Sequence, residues 1–146
     1  MSKRLTVSLK PKHAMEVTRE VRGKKKLVYI IVAKKALKYH QGRSKIVYIG
    51  TTRNGVNRLA QSVAARAPKV LNIRGVREFL VRIMVCAPRP NVKTWEKLER
   101  TLLIVFRQRH EELPKCNVAG KKMKLRDEFS YFKRERLEKL LDEISR

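Results

Sequence analysis

Apolar positions in the first half of the chain fall in unbroken runs, and further along they fall at helical spacing. LVYIIVA at 27–33 is dense in β-branched and aromatic residues and predicts a strand, paired as a hairpin with AMEVTREV at 14–21 across the RGKKK turn. KIVYIGT at 45–51, after a polar connection containing Gly42, predicts another strand, and its density predicts burial on both faces. Asn54-Gly55 then breaks the chain. VNRLAQSVAARA places Val56, Leu59, Ala60 and Val63 on one helical face, with Pro68 as the expected stop. REFLVRIMVCA at 77–87 alternates, with Phe79, Val81, Ile83 and Val85 on one side and Leu80, Met84 and Cys86 on the other, and predicts a central strand. Beyond Pro88 and Pro90, Thr94 is the expected N-cap of a helix to about residue 110, and Asp127 that of a last helix over about 127–145.

This order predicts one α+β domain over 1–146, a small, largely antiparallel central sheet flanked by helices, with an N-terminal strand extension and a C-terminal helix. A length of 146 residues suffices for one modest core and not for two ordinary domains.

Charge changes the picture more than composition does. Lys and Arg number 37 against 13 Asp and Glu, a formal net charge of +24. Self-repulsion of that size points to an anionic partner, nucleic acid first. The charge is also uneven: Val21 to Arg77 holds fifteen bases and no acid, whereas the last twenty residues hold six acids and five bases. The acid-free stretch predicts a phosphate-binding surface carried by Lys24, Lys25, Lys26, Lys34, Lys35, Arg43, Lys45, Arg53 and Arg66. The basic residues are spread through structured segments rather than clustered beside an apolar anchor, which argues against a membrane surface. No run approaches the ~20 apolar residues of a membrane span, and MSKRLTVSLKPKH has no apolar stretch of signal-peptide length, so a cytoplasmic location is expected. Cys86 and Cys116 lack metal or disulfide spacing, and His13, His40 and His110 show no ligand pattern.

The residue with the most chemical content is Glu99. Trp95, Leu102, Leu103 and Phe106 stand at i−4, i+3, i+4 and i+7 from it, so the carboxylate is set into an apolar helical face. A carboxylate so placed needs a positive partner, either an Arg in an ordinary ion pair or a metal ion. Glu96, at the border of the same face, is the second candidate.

Val28-Tyr29-Ile30 and Val47-Tyr48-Ile49-Gly50 together with Arg58, Glu99 and Asn117 occur in an order that resembles the GIY-YIG endonucleases over about residues 27–118. Leu27-Val28-Tyr29 stands where GIY would be, without its Gly. The resemblance implies metal-dependent hydrolysis of DNA, with Glu99 holding Mg²⁺ or another divalent cation such as Mn²⁺. Arg58 would grip the phosphate, Tyr29 accept the proton of the attacking water, Tyr48 orient that water, and Asn117 brace Glu99 or a phosphate. Two departures shape the expectation. Tyr29 and Tyr48 are nineteen residues apart, which implies an enlarged hairpin containing Tyr39, His40, Arg43 and Lys45. Ser62 stands four residues after Arg58, where many members carry His or Tyr, and a hydroxyl of such high pKa is a poor base. The alternative is a non-catalytic basic nucleic-acid-binding protein of ribosome-associated or packaging type, in which the basic surface alone carries function. Oligomeric state is not legible in the sequence.

Overall fold

The computed structural model of the chain describes Val7, Leu9, residues 26–118 and residues 131–145. The strand expected at 14–21, Lys24, Lys25, His13 and Asp127 lie outside the described residues; the last helix, expected from about residue 127, begins at Arg134, since residues 131–133 are not helical. Within them the fold is α+β as expected: β1 (Leu27–Lys38), β2 (Arg43–Thr52), α1 (Gly55–Leu71), β3 (Phe79–Met84), α2 (Thr94–His110) and α3 (Arg134–Ser145). The three strands form one antiparallel sheet in the order β2-β1-β3.

The unbroken apolar run Leu27–Ala33 takes the middle of this sheet and is buried on both faces throughout. Ile46, Val47 and Ile49 of β2 are likewise fully buried, as their density predicted. The hairpin between them is long. β1 reaches Lys38 before turning at Tyr39–Gly42, and the register shifts after Ile31 and again after Val32. The tip is pinned to α2: the Gln41 amide donates to the His110 carbonyl at 3.0 Å, and His110 Nδ1 lies 2.7 Å from the Gln41 carbonyl. Tyr39 is buried beneath it, donating its hydroxyl to the Ile46 carbonyl at 2.5 Å and meeting Phe106 edge-on at 5.0 Å.

At the other end of α2, Lys26 lies 4.6 Å over the Trp95 ring. With Trp95 beside Lys26 and His110 beside Gln41, α2 runs parallel to β1. Residues Thr101–Phe106 of α2 are all buried, so its middle is enclosed rather than merely docked. Leu137, Leu141 and Ile144 form the inward stripe of α3. Arg109–Asp142 at 2.5 Å and the Arg134–Gln108 hydrogen bond fasten α3 to α2, and Ser145 meets Ser44 of β2 at 2.9 Å.

Three details differ from the pattern in the sequence. First, β3 is an edge strand, not a central one: among the described residues it pairs with β1 alone, and Leu80 is 53% exposed. Apolar residues on both sides of a strand report coverage of faces, whereas position in the sheet goes to the run with the strongest need for two neighbours, here Leu27–Ala33. Second, α1 continues through Pro68 to Leu71, because Pro68 lies in the last turn and the Asn72 amide closes the helix on the Pro68 carbonyl at 3.0 Å. Fully buried Val70 holds that turn against the core. Third, Thr94 is the first residue of α2, preceded by Lys93 without a side-chain cap. Cys86 and Cys116 are free thiols, as expected.

The different standing of the two strands is measurable. Ile30→Ala, in the middle of β1, should cost ~2–5 kcal/mol in urea unfolding. Leu80→Ala on the exposed side of β3 should cost about 1 kcal/mol or less; equal losses at the two positions would contradict the edge placement.

Candidate active site

Strand register brings the two tyrosines together. Tyr29 pairs with Gly50 and Ile31 with Tyr48, so the phenols are diagonal neighbours on one sheet face. Their ring centroids are 5.6 Å apart with planes tilted by 38°. The extra hairpin residues are absorbed by the extended strands and the register shifts, so separation in sequence does not separate the rings. Gly50 makes the approach possible. A Cβ there would lie 2.5 Å from Tyr48 Cε1 and 2.9 Å from Tyr29 Cζ, so the glycine is required by ring packing. One step along β1, Val32 pairs with Ile46, two residues from Tyr48. This bulge turns Ile46 to the face opposite Tyr48.

Helix α1 adds the polar part. Leu59 and Val70 are buried, and Ser62, Val63 and Arg66 are half-buried between them, so the inward stripe of α1 carries a hydroxyl and a guanidinium. Ser62 and Tyr48 are the polar side chains beside the Tyr29 hydroxyl. Arg66 places its guanidinium 4.4 Å over the Tyr48 ring while Nη1 donates to the Ser62 carbonyl at 3.3 Å. Arg58 is on the exposed side of the same helix, where Nη1 donates to Gln61 at 3.2 Å. The cation beside the tyrosines is thus Arg66, which the sequence marked only as one of the phosphate-binding bases. Its signal was available in the spacing Leu59, Ser62, Arg66, Val70, which follows one helical face. Ala60, expected on that face, is exposed.

The two phenols are not equivalent. Tyr29 is 1% exposed, and Tyr48 is half-buried. Burial, then the neighbouring Tyr48, push the Tyr29 phenol well above its ordinary range, while Arg66 and Ser62 oppose this only in part. Burial thus disfavours the Tyr29 phenolate, the form that the proton-accepting role expected of it would need.

Asn117 is half-buried and clamps the backbone of β2. Its Oδ1 accepts from the Ile49 amide at 3.0 Å and its Nδ2 donates to the Ile49 carbonyl at 2.9 Å, while the Cys116 amide donates to the Val47 carbonyl at 2.9 Å. It braces the Tyr48–Gly50 backbone rather than a carboxylate. Glu99 comes from α2, 5% exposed and engaged in a polar or electrostatic contact, one helical turn beyond Trp95 and so at the end of the sheet where β1 begins. Glu96 is half-buried on the same turn.

The expected phosphate-binding bases among the described residues lie on several elements. Lys26 lies over Trp95, Lys34 pairs with Glu78 at 2.9 Å, and Lys35 is exposed close to Gly75. Arg53 is exposed just before α1, and Lys45 is half-buried. Arg43 is exposed at the hairpin tip, about 17 Å along β2 from Tyr48 at ~3.3 Å per residue. His40 meets Glu112 at 3.3 Å. No described helix is long and apolar enough to cross a membrane. No family model, curated protein or solved structure matches the chain.

Burial of the phenols sets an alkaline limit on stability. Burial raises both Tyr29 and Tyr39 above their unfolded value of about 10. Their contribution is complete below about pH 10 and declines as pH rises toward the folded values, because the unfolded chain releases those protons first. The urea midpoint should fall above about pH 10, and less so in Tyr29→Phe; an equal fall in that variant would remove Tyr29 from the explanation. Gly50→Ala should cost ~1–3 kcal/mol by overpacking the ring pair, read as a lower urea midpoint and altered near-ultraviolet circular dichroism.

Proposed function

We propose that this chain is a metal-dependent endonuclease that hydrolyses phosphodiester bonds of DNA. The observation that carries this reading is the tyrosine pair, packed over Gly50, with Ser62 and Arg66 of α1 closing on it. The chain also carries a buried carboxylate, Glu99, in an apolar helix and a formal charge of +24, a combination suited to phosphate chemistry.

The geometry favours a different division of labour from the one the sequence suggested. Tyr48, the phenol nearer solvent, accepts the proton of the attacking water. That role requires Tyr48 to act as the phenolate; the Tyr29 hydroxyl donated to it, backed by Ser62, and the Arg66 guanidinium above the ring stabilise this negative charge, which passes to the nucleophile as the proton moves onto Tyr48. A Tyr29 that resists ionisation is what keeps this donor in place. Arg58, exposed on the first turns of α1, is free to take the non-bridging phosphate oxygens through its planar fork. Asn117 fixes the strand that carries Tyr48.

Glu99 is the residue that would hold a divalent cation. Among the described residues no three His, Cys, Asp or Glu cluster as a metal cage. A hard cation such as Mg²⁺ is compatible with one carboxylate, since it keeps several waters and takes the rest of its shell from substrate phosphate. Mn²⁺ would be accepted by the same oxygen donors. Bound there, it would supply charge relief at the phosphate and the leaving oxygen.

Plasmid cleavage with and without Mg²⁺ tests the reading. Glu99→Gln should retain DNA binding and lose cleavage, and Tyr48→Phe should lose ~10²-fold or more in rate. Tyr29→Phe, which removes a donor rather than the base, should lose less. An inactive Tyr29→Phe beside an active Tyr48→Phe would return the base to Tyr29. DNA bound tightly but never cut, under any divalent cation, would favour the non-catalytic binding protein, a reading that the extensive exposed basic surface also supports.

A further inference from the structure

At the end of the sheet where β1 begins, Lys26, the Arg89–Val92 turn and the start of α2 enclose an open groove of about 660 Å³. Its lining contains Lys26, Arg89, Lys93 and Trp95, with prolines and no acid. The turn is built to hold its shape: Pro90 fixes one central residue, Asn91 adopts φ 60° at the next, and the Val92 amide closes on the Arg89 carbonyl at 3.2 Å. Aromatic rings hold two of the cations. Lys26 sits over Trp95, and the Arg89 guanidinium lies 5.4 Å from the Tyr131 ring centre. Such contacts order a cation without discharging it. Among the described residues neither Lys26, Arg89 nor Lys93 forms an ion pair, so three positive charges, two of them held by rings, face solvent together.

We infer that this groove binds the sugar-phosphate backbone of a nucleic acid strand, next to the tyrosine site and separate from it. Trp95 is 9% exposed and capped by Lys26, so its ring is no platform for a base. Pro88, Pro90 and Val92 add apolar surface to the lining, and its charges are all positive, which is the feature that selects a polyanion. Lys26 stands immediately before β1, three residues from Tyr29. The inference rests on the reading of a nucleic-acid partner, and not on cleavage.

The test is fluorescence anisotropy of a labelled DNA duplex in EDTA, titrated with the full chain over about 0.05–0.2 M salt. Arg89→Gln/Lys93→Gln should weaken binding by about tenfold or more and lower the slope of log affinity against log salt by about two units, near 0.9 for each phosphate no longer neutralised. The pair Lys133→Gln/Lys139→Gln removes the same charge from exposed positions at α3 and should leave the slope within about half a unit of wild type. Circular dichroism and the urea midpoint establish that each variant is folded. An unchanged slope in the groove variant, or an equal loss in the α3 variant, overturns the inference. So does polyglutamate that competes as well as DNA at equal charge. Because no divalent cation is present, a protein that cuts no DNA can still satisfy this test, and a protein that cuts DNA can still fail it.

Discussion

Seven successive residues of β1, Leu27 to Ala33, are closed off from water, and a strand in that position requires a neighbour on each edge and cover on each face. The strands β2 and β3 meet the first requirement, pairing with β1 along its length. The helices meet the second. A backbone whose polar groups are drawn into the sheet and whose side chains are apolar but for one hydroxyl cannot move to the surface without exposing both, so the remaining elements arrange themselves around it. Tyr29 belongs to this buried run. Its hydroxyl is therefore a polar group in the core that needs partners there, and the polar side chains beside it are Tyr48 and Ser62.

From that one hydroxyl the candidate site follows. A buried phenol is costly to ionise, so it donates; a donor needs an acceptor, and the neighbouring phenol on β2 is the more open of the two. Gly50 lets the rings approach, and Asn117 holds the backbone on which Tyr48 and Gly50 sit. The stripe of α1 that covers this face would ordinarily be apolar throughout. Here Ser62 and Arg66 interrupt it where the polar atoms of the sheet need partners, a local departure from pattern of the kind that marks a functional surface.

The uneven charge has a structural counterpart. Among the described residues, the bases of Val21–Arg77 belong to β1, β2, α1 and the segments flanking them, where acids are absent. Several acids of the C-terminal stretch are spent on internal fastening: Asp142 holds Arg109 of α2, and Glu138 pairs with Arg134 within α3. Exposed pairs of this sort contribute little stability each. Their effect is to place negative charge on α3, leaving the start of β1 and the turn before α2 positive.

The sequence by itself determined the elements and their burial. Unbroken β-branched runs gave β1 and β2, helical spacing gave α1 and α2, and the four apolar neighbours of Glu99 were enough to predict that a carboxylate would be buried, because each of these is a property of local periodicity. Tertiary structure decided which strand stands in the middle, since alternation in β3 cannot reveal what lies beyond its edge. It decided that Arg66 rather than Arg58 meets the tyrosines, because a helix presents both and only its rotation against the sheet selects one. It decided that Tyr29 is the closed phenol and Tyr48 the open one, a difference set by long-range packing between residues of the same type in similar strands. The groove of Lys26, Arg89 and Lys93 joins positions more than sixty residues apart, and no period along the chain relates them; folding β1 beside the start of α2 is what brings their charges together.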